Sequence, residues 1–367
     1  MKIEYINSVE KIGELSEKEK LKLKEVTQKY KFRSNSYYLS LINWKDKNDP
    51  IRNIIIPHYD ELNDWGYEDP SSENSYTVSK GLQHKYNDTA LLLVNNVCGG
   101  ICRFCFRKRL FTNNNNETIK LREISEDIEY IKNHSEITNV LLTGGDPMIL
   151  STQILKEITE KIREINHVKI IRIGTKLLAY NPYRFIEDES LMKMISENSS
   201  INQKIYIMAD YNSERELTET SLKAVYMLQK AGATILNQTP ILKTVNATKK
   251  QLSALFKKLS FNGIAPYYVF QNRPVMGNQP FSLPLEEAYS VFLQSLEGIS
   301  GVAKRPKFVM SHRTGKIEIT GITSDKILFR YHRSHNPDNY GKIFVYERND
   351  KAYWFDDYKK PVEVYKY

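Results

Sequence analysis

The run Ala90-Leu91-Leu92-Leu93-Val94-Asn95-Asn96-Val97-Cys98-Gly99-Gly100-Ile101-Cys102-Arg103-Phe104-Cys105-Phe106-Arg107 decides how the rest of the chain is read. Its apolar start reads as a short buried strand, and the glycine- and cysteine-rich remainder as the loop that leaves it. All three cysteines of the chain, Cys98, Cys102 and Cys105, fall in that loop. A Cys-x3-Cys-x2-Cys loop can give three thiolates to a cubane [4Fe–4S] cluster, leaving one iron open to a ligand from outside the protein. A zinc-bearing binding module is the competing reading. Structural zinc wants four closed ligands, and no fourth cysteine exists, although His84 and His134 could in principle serve. The odd cysteine count and the mixed-charge start Met1-Lys2-Ile3-Glu4-Tyr5 argue against a disulfide framework and a secretory leader.

The 367 residues are 41% hydrophobic and 26% charged, enough for one large catalytic domain with flanking parts or for two domains. No apolar run nears the roughly 18 residues that cross a bilayer, and reduced thiols point to the cytoplasm. A net charge of +9 leaves nucleic acid open as a partner, but its distribution argues against it. Stretches such as Glu17-Lys18-Glu19-Lys20 interleave both signs, and no basic stripe carries repeated aromatics.

Residues 1–88 read as an N-terminal helical region, with a helix over 16–30 opened by a Ser16/Glu19 capping box. The segment 70–74 reads as a surface loop, and 113–116 as a polar loop tip. From residue 89 to 300, apolar runs at 90–95, 139–143, 169–173, 204–208, 234–237 and 266–270 alternate with helical segments. That spacing predicts an α/β fold with a parallel sheet of six strand–helix units, a partial TIM-type (β/α)6 barrel open on one side. Residues 301–367 alternate with a period of two and read as a small β-rich closing element.

With these segments in order, the chain resembles the lysine 2,3-aminomutase family of radical S-adenosylmethionine (SAM) enzymes. The resemblance is carried by the cysteine loop and by Tyr37-Tyr38-Leu39-Ser40-Leu41-Ile42, Asn48-Asp49-Pro50-Ile51-Arg52 and His84-Lys85-Tyr86-Asn87-Asp88. Further along it is carried by Leu141-Leu142-Thr143-Gly144-Gly145-Asp146-Pro147, Ile171-Arg172-Ile173-Gly174-Thr175 and Pro266-Tyr267-Tyr268-Val269-Phe270-Gln271. It implies an isomerase that cleaves SAM reductively and moves an amino group between neighbouring carbons. It also implies an electron donor such as flavodoxin or ferredoxin, and it allows a homo-oligomer.

Carried over by position, Gly144, Gly145 and Asp146 would meet the SAM amine, Arg172 and Thr175 its carboxylate or ribose, and Phe104 its adenine. Asp146 would orient its loop, Arg172 is as readily an ion pair, Phe104 as readily core, and Gly-Gly-Asp as readily an ordinary turn. Arg107 would pair with the substrate carboxylate. Gly315-Lys316 is the best match to the segment whose lysine carries pyridoxal phosphate (PLP), although the family's glycine run is reduced to one, and Lys316 could be an ordinary strand lysine. Where lysine-specific members have two aspartates, this chain has Arg273 and Ser311. A guanidinium there suits an acidic side chain, so an acidic or otherwise non-lysine amino acid is expected as the small-molecule substrate. Thr89 stands where a cation is expected, with Lys85 as partial compensation, and Asp210 where the family tends to have histidine. The alternative keeps the radical chemistry without PLP, as an epimerase, dehydrogenase or other rearrangement enzyme. Tyr331-His332-Arg333-Ser334-His335 is left between active-site lining and subunit contact.

Overall fold

The computed structural model describes residues 3–112 and 121–366; the loop tip expected at 113–116 lies outside them. The strands in chain order are β1 (Tyr5–Ile6), β2 (Ser34–Asn35), β3 (Thr77–Ser79), β4 (Leu82–Tyr86), β5 (Thr89–Asn95), β6 (Asn139–Gly144), β7 (Ile170–Thr175) and β8 (Lys204–Ala209). They continue with β9 (Thr234–Ile241), β10 (Ala265–Gln271), β11 (Lys307–His312), β12 (Gly315–Ile322), β13 (Lys326–Ser334), β14 (Ile343–Glu347) and β15 (Glu363–Tyr365). β1 pairs with β2, while β3 to β15 form one 13-stranded sheet in chain order.

The six expected strands are β5 to β10, each parallel to the next. β11 continues parallel, with Val269 opposite Phe308, and from β12 onward the sheet is antiparallel. The end strands β3 and β15 do not pair with each other, so the barrel is open, as the sequence predicts. The helices between strands carry apolar residues on one side and capped starts. In Thr152–Arg163, Leu155, Ile158 and Ile162 are buried and the Ser151 hydroxyl accepts from the Ile154 amide. Thr218 and Thr248 cap the helices Glu219–Lys230 and Lys249–Phe261 in the same way.

Strand alternation then divides the sheet. Leu92, Val140, Leu142, Ile171, Ile173, Ile205 and Ile207 are buried in the core shared with the helices. Their neighbours Leu93, Leu141, Thr143, Arg172, Gly174 and Tyr206 keep partial exposure, so the other face of the sheet lines an open lumen. Among the described residues no helix is long and apolar enough to cross a membrane.

The N-terminal region pins the cysteine loop to this frame. Helix Glu17–Lys29 starts with the expected Ser16/Glu19 capping box. Farther on, the Glu61 carboxylate accepts from Arg103 Nε at 3.0 Å and Nη2 at 2.6 Å, and pairs with Lys108 Nζ at 2.8 Å. The Arg103 and Glu61 side chains are both 0% exposed. Burial alone would raise the Glu61 pKa, but Arg103 and Lys108 outweigh it and hold it at about 2.

Removing the carboxylate would strand two buried cations. Glu61→Ala should therefore lower the unfolding free energy by about 3–5 kcal/mol, as measured by urea denaturation of the intact chain. The sign with pH follows from the lowered pKa. The stabilisation is full above the ordinary carboxylate value near 4.5 and fades as pH falls toward 2. Glu61→Gln should flatten that acid limb; an unchanged limb would deny Glu61 this role.

Candidate active site

β5 ends at Asn95, and the loop that follows docks on the exit of β6. The Asn95 carbonyl accepts from the Gly145 amide at 2.7 Å, Val97 O accepts from the Asp146 amide at 2.8 Å, and Asn95 Nδ2 donates to Asp146 O at 2.9 Å. A Cβ on Gly144, whose φ is +111°, would meet Asn95 O at 2.3 Å, and one on Gly145 would meet Val97 O at 2.3 Å. The close approach these glycines permit is therefore to the cysteine loop's own backbone, a role the sequence reading did not name. Asp146 is buried and holds the next strand's exit: its carboxylate accepts from Thr175 Oγ1 at 2.8 and 2.9 Å and from the amides of Lys176 and Met148. Burial raises its pKa to about 6 against those hydrogen bonds.

The three cysteines are free thiols on this loop. Cys102 Sγ lies 3.0 Å from the Tyr180 hydroxyl. Burial pushes each thiol up. Asp146 and the other two sulfurs add to this at Cys98, while Lys176 opposes it at Cys102 and Arg107 at Cys105. Among the described residues, no three His, Cys, Asp or Glu side chains are grouped to hold a single metal ion. Structural zinc wants four closed ligands, whereas this loop carries three thiols, the number that suits a [4Fe–4S] cluster with one open iron.

Two of the expected SAM contacts already have partners within the protein. Arg172 is the third residue of β7, and its Nε donates to Asn139 Oδ1 at 2.9 Å. Phe104 is buried in the core, edge-on to Phe281 at 6.3 Å between ring centroids. Asp210 follows β8, accepts from Asn212 Nδ2 at 2.7 Å and is felt by the thiols of Cys102 and Cys105.

At the mouth of the lumen stands a residue missing from the sequence reading. Glu73, in the stretch expected as a surface loop, is buried, and its Oε1 accepts from Arg107 Nε at 3.1 Å and lies 3.0 Å from Arg107 Nη2. Arg109 Nη2 donates to the other oxygen at 2.8 Å. Burial opposes its charge, but Arg107, Arg273 and Arg109 hold Glu73 at about 2. Nothing in an Asp-Pro-Ser-Ser-Glu turn announces this; the arginines that need it lie more than thirty residues on. Arg107 also donates to Thr143 Oγ1 at 3.0 Å. Arg273 lies 4.0 Å from the Phe106 ring and, among the described residues, donates no hydrogen bond. Burial lowers its pKa to about 10, with Glu73 opposing.

Lys316 lies deeper. Its ammonium position is 3.8 Å from the Tyr268 ring centroid and 5.3 Å from that of Phe270, and Ser311 and Arg333 are its strand partners. Gly315, at φ +154°, is needed because a Cβ there would meet Arg333 O at 2.3 Å. Burial, then Arg172, Arg333, Arg273 and Lys85, push the Lys316 pKa well down, which favours the neutral, nucleophilic amine. Lys85 Nζ donates to His312 O at 2.5 Å and burial lowers it to about 7. The Tyr268 hydroxyl is 2.7 Å from His332 Nε2, so His332 supports the ring beneath Lys316, while His335 Nδ1 lies 3.3 Å from the Tyr76 hydroxyl. A nucleophilic amine over aromatic rings and among cations fits a planar aldehyde bearing a phosphate.

The family model described as the radical SAM superfamily matches residues 92–250. Over its whole length the chain is 51% identical to an Aquifex aeolicus protein provisionally named L-lysine 2,3-aminomutase, covering 97% of that protein. It is 31% identical to the L-lysine 2,3-aminomutase of Clostridium subterminale, over 84% of this chain and 73% of that one. It is equally 31% identical to the glutamate 2,3-aminomutase of Clostridioides difficile, over 86% of this chain and 73% of that one. With the cysteine loop, the open parallel barrel and the lysine in its lumen, these matches identify the chain as a member of the lysine 2,3-aminomutase family of radical SAM enzymes.

Proposed function

We propose that this radical SAM aminomutase family member shifts the amino group of an amino acid with an acidic side chain, and that lysine is not its substrate. One observation carries the reading: Arg273 presents a guanidinium with no hydrogen-bonded acceptor among the described residues, on the same lumen as Lys316. A partly desolvated guanidinium repels the ammonium of a lysine side chain and takes a carboxylate bidentately. The chain is as similar to a glutamate 2,3-aminomutase as to a lysine 2,3-aminomutase of the same family, so both substrate classes occur among its relatives and the choice rests on Arg273.

In this reading Cys98, Cys102 and Cys105 hold three irons of a [4Fe–4S] cluster, SAM lies against Gly144, Gly145 and Thr175, and Lys316 carries PLP. When bound, these groups supply a hydrogen-abstracting radical and a π system across which an amino group can migrate. The chain's own part is positional. Lys316 offers a neutral amine, Tyr268 and Phe270 form its aromatic bed, and Arg273 orients the side-chain carboxylate. Glu73 holds Arg107 beside Thr143, where Arg107 can turn one face to the α-carboxylate. The parts 1–88, 89–300 and 301–367 then serve as loop support, barrel and closing element. A flavodoxin- or ferredoxin-like donor in the cytoplasm would reduce the cluster.

Anaerobic reconstitution should give about four irons per chain, and Cys98→Ala, Cys102→Ala or Cys105→Ala should abolish 5′-deoxyadenosine formation. Tetrahedral zinc without iron uptake would end the radical reading.

Glutamate-like compounds should stimulate deoxyadenosine release in the loaded enzyme and lysine should not. Arg273→Asp should cost the acidic substrate about 2–5 kcal/mol in kcat/KM. Robust lysine turnover by the wild type would refute the assignment of Arg273. Full activity of PLP-free protein would favour a PLP-independent rearrangement instead.

A further inference from the structure

We propose that Arg172 and Arg333 form an anion subsite on the floor of the lumen that grips the phosphate group of the cofactor, with Arg333 supplied by the C-terminal hairpin. The inference rests on the reading of Lys316 as the PLP lysine. The first residues of β5 and β6, Thr89 and Asn139, are register partners on adjacent strands. Thr89 Oγ1 accepts from Arg333 Nη2 at 3.2 Å, and Asn139 Oδ1 accepts from Arg172 Nε at 2.9 Å. Neighbouring strand positions thus hold two guanidinium groups side by side. Arg333 lies 4.3 Å from the Tyr86 ring and is the cross-strand partner of Lys316, which brings the amine to the same floor.

The charge balance there is incomplete. Asp88 pairs with Arg333 through the same Nη2, and its side chain is 58% exposed, so solvent screens it. Arg172 has no carboxylate on its guanidinium; among the described residues its two Nη atoms have no acceptor. Two guanidiniums that repel each other, each with donors to spare, match the several oxygens of a phosphate dianion.

The test compares PLP with pyridoxal, which lacks the phosphate, on the full-length wild type, Arg172→Gln, Arg333→Gln and Arg333→Lys. Adducts are trapped with borohydride and located on Lys316 by mass spectrometry, and circular dichroism checks the fold. The wild type should hold PLP at least about tenfold more tightly than pyridoxal, with inorganic phosphate competing. Each Gln variant should lose most of that preference while pyridoxal trapping stays unchanged, and Arg333→Lys should fall between because it keeps charge without the planar fork. If PLP is trapped on Lys316 and all three variants keep the full preference, the subsite is refuted and the cofactor reading stands. If neither aldehyde reacts at Lys316 but phosphate shields Arg333 from phenylglyoxal, the subsite holds and the cofactor reading fails. If phosphate gives no protection either, both fall.

Discussion

The geometry of the site depends on one buried carboxylate. Glu61 satisfies Arg103 and Lys108, which stand on either side of Cys105, and so fixes the cysteine loop from outside the barrel. Lys108 Nζ passes the constraint on, donating to Arg103 O at 2.7 Å and to Gly277 O at 2.8 Å. The loop is thereby tied both to itself and to the segment after β10. A loop that would present three sulfurs to a cluster in the proposed reading cannot wander, and ion pairs sealed from water hold direction better than exposed ones. The helical N-terminal region is in this sense part of the cluster's support.

From that anchor the lumen is graded along its length. At the mouth, Arg107, Arg109 and Arg273 gather around Glu73, next to the cysteine loop. At the floor, Arg172, Arg333 and Lys316 meet with little carboxylate to offset them. In the proposed reading this arrangement separates what reacts from what is held, with the small carboxylates of an amino acid near the radical source and a larger anion below. One sheet carries both ends: Arg107 and Arg273 follow β5 and β10, while Arg172, Lys316 and Arg333 lie on β7, β12 and β13.

Much of this was legible in the sequence because it is local. The cysteine loop, the six parallel strands and the Ser16 cap depend on neighbours within a few residues, so spacing reveals them. Gly144 and Gly145 were legible as a close approach, but what approaches, the backbone at Asn95 and Val97, belongs to another strand. Arg172 was legible as a polar residue of the β7 motif, but its partner Asn139 belongs to the neighbouring strand. Glu73 was missed because its arginine partners are far along the chain, and Arg333 was left between two readings because Thr89, which its guanidinium meets, is equally distant; neither a turn carboxylate nor a hairpin arginine has a local signature. Phe104 was given two readings, and its edge-on packing on Phe281 accords with the core one.

The gathered cations also bear on how the protein persists between turnovers. Like charges held together in a partly dry lumen repel, and the folded state carries that repulsion for as long as the lumen contains only water. Any anion that settles there relieves it and draws the population toward the native fold by mass action. Each tenfold rise in free anion above its dissociation constant deepens stability by about 1.4 kcal/mol. The durability of this barrel is then a property of the solution around it as much as of its core, and a cell rich in phosphate esters would keep it folded before any substrate arrives.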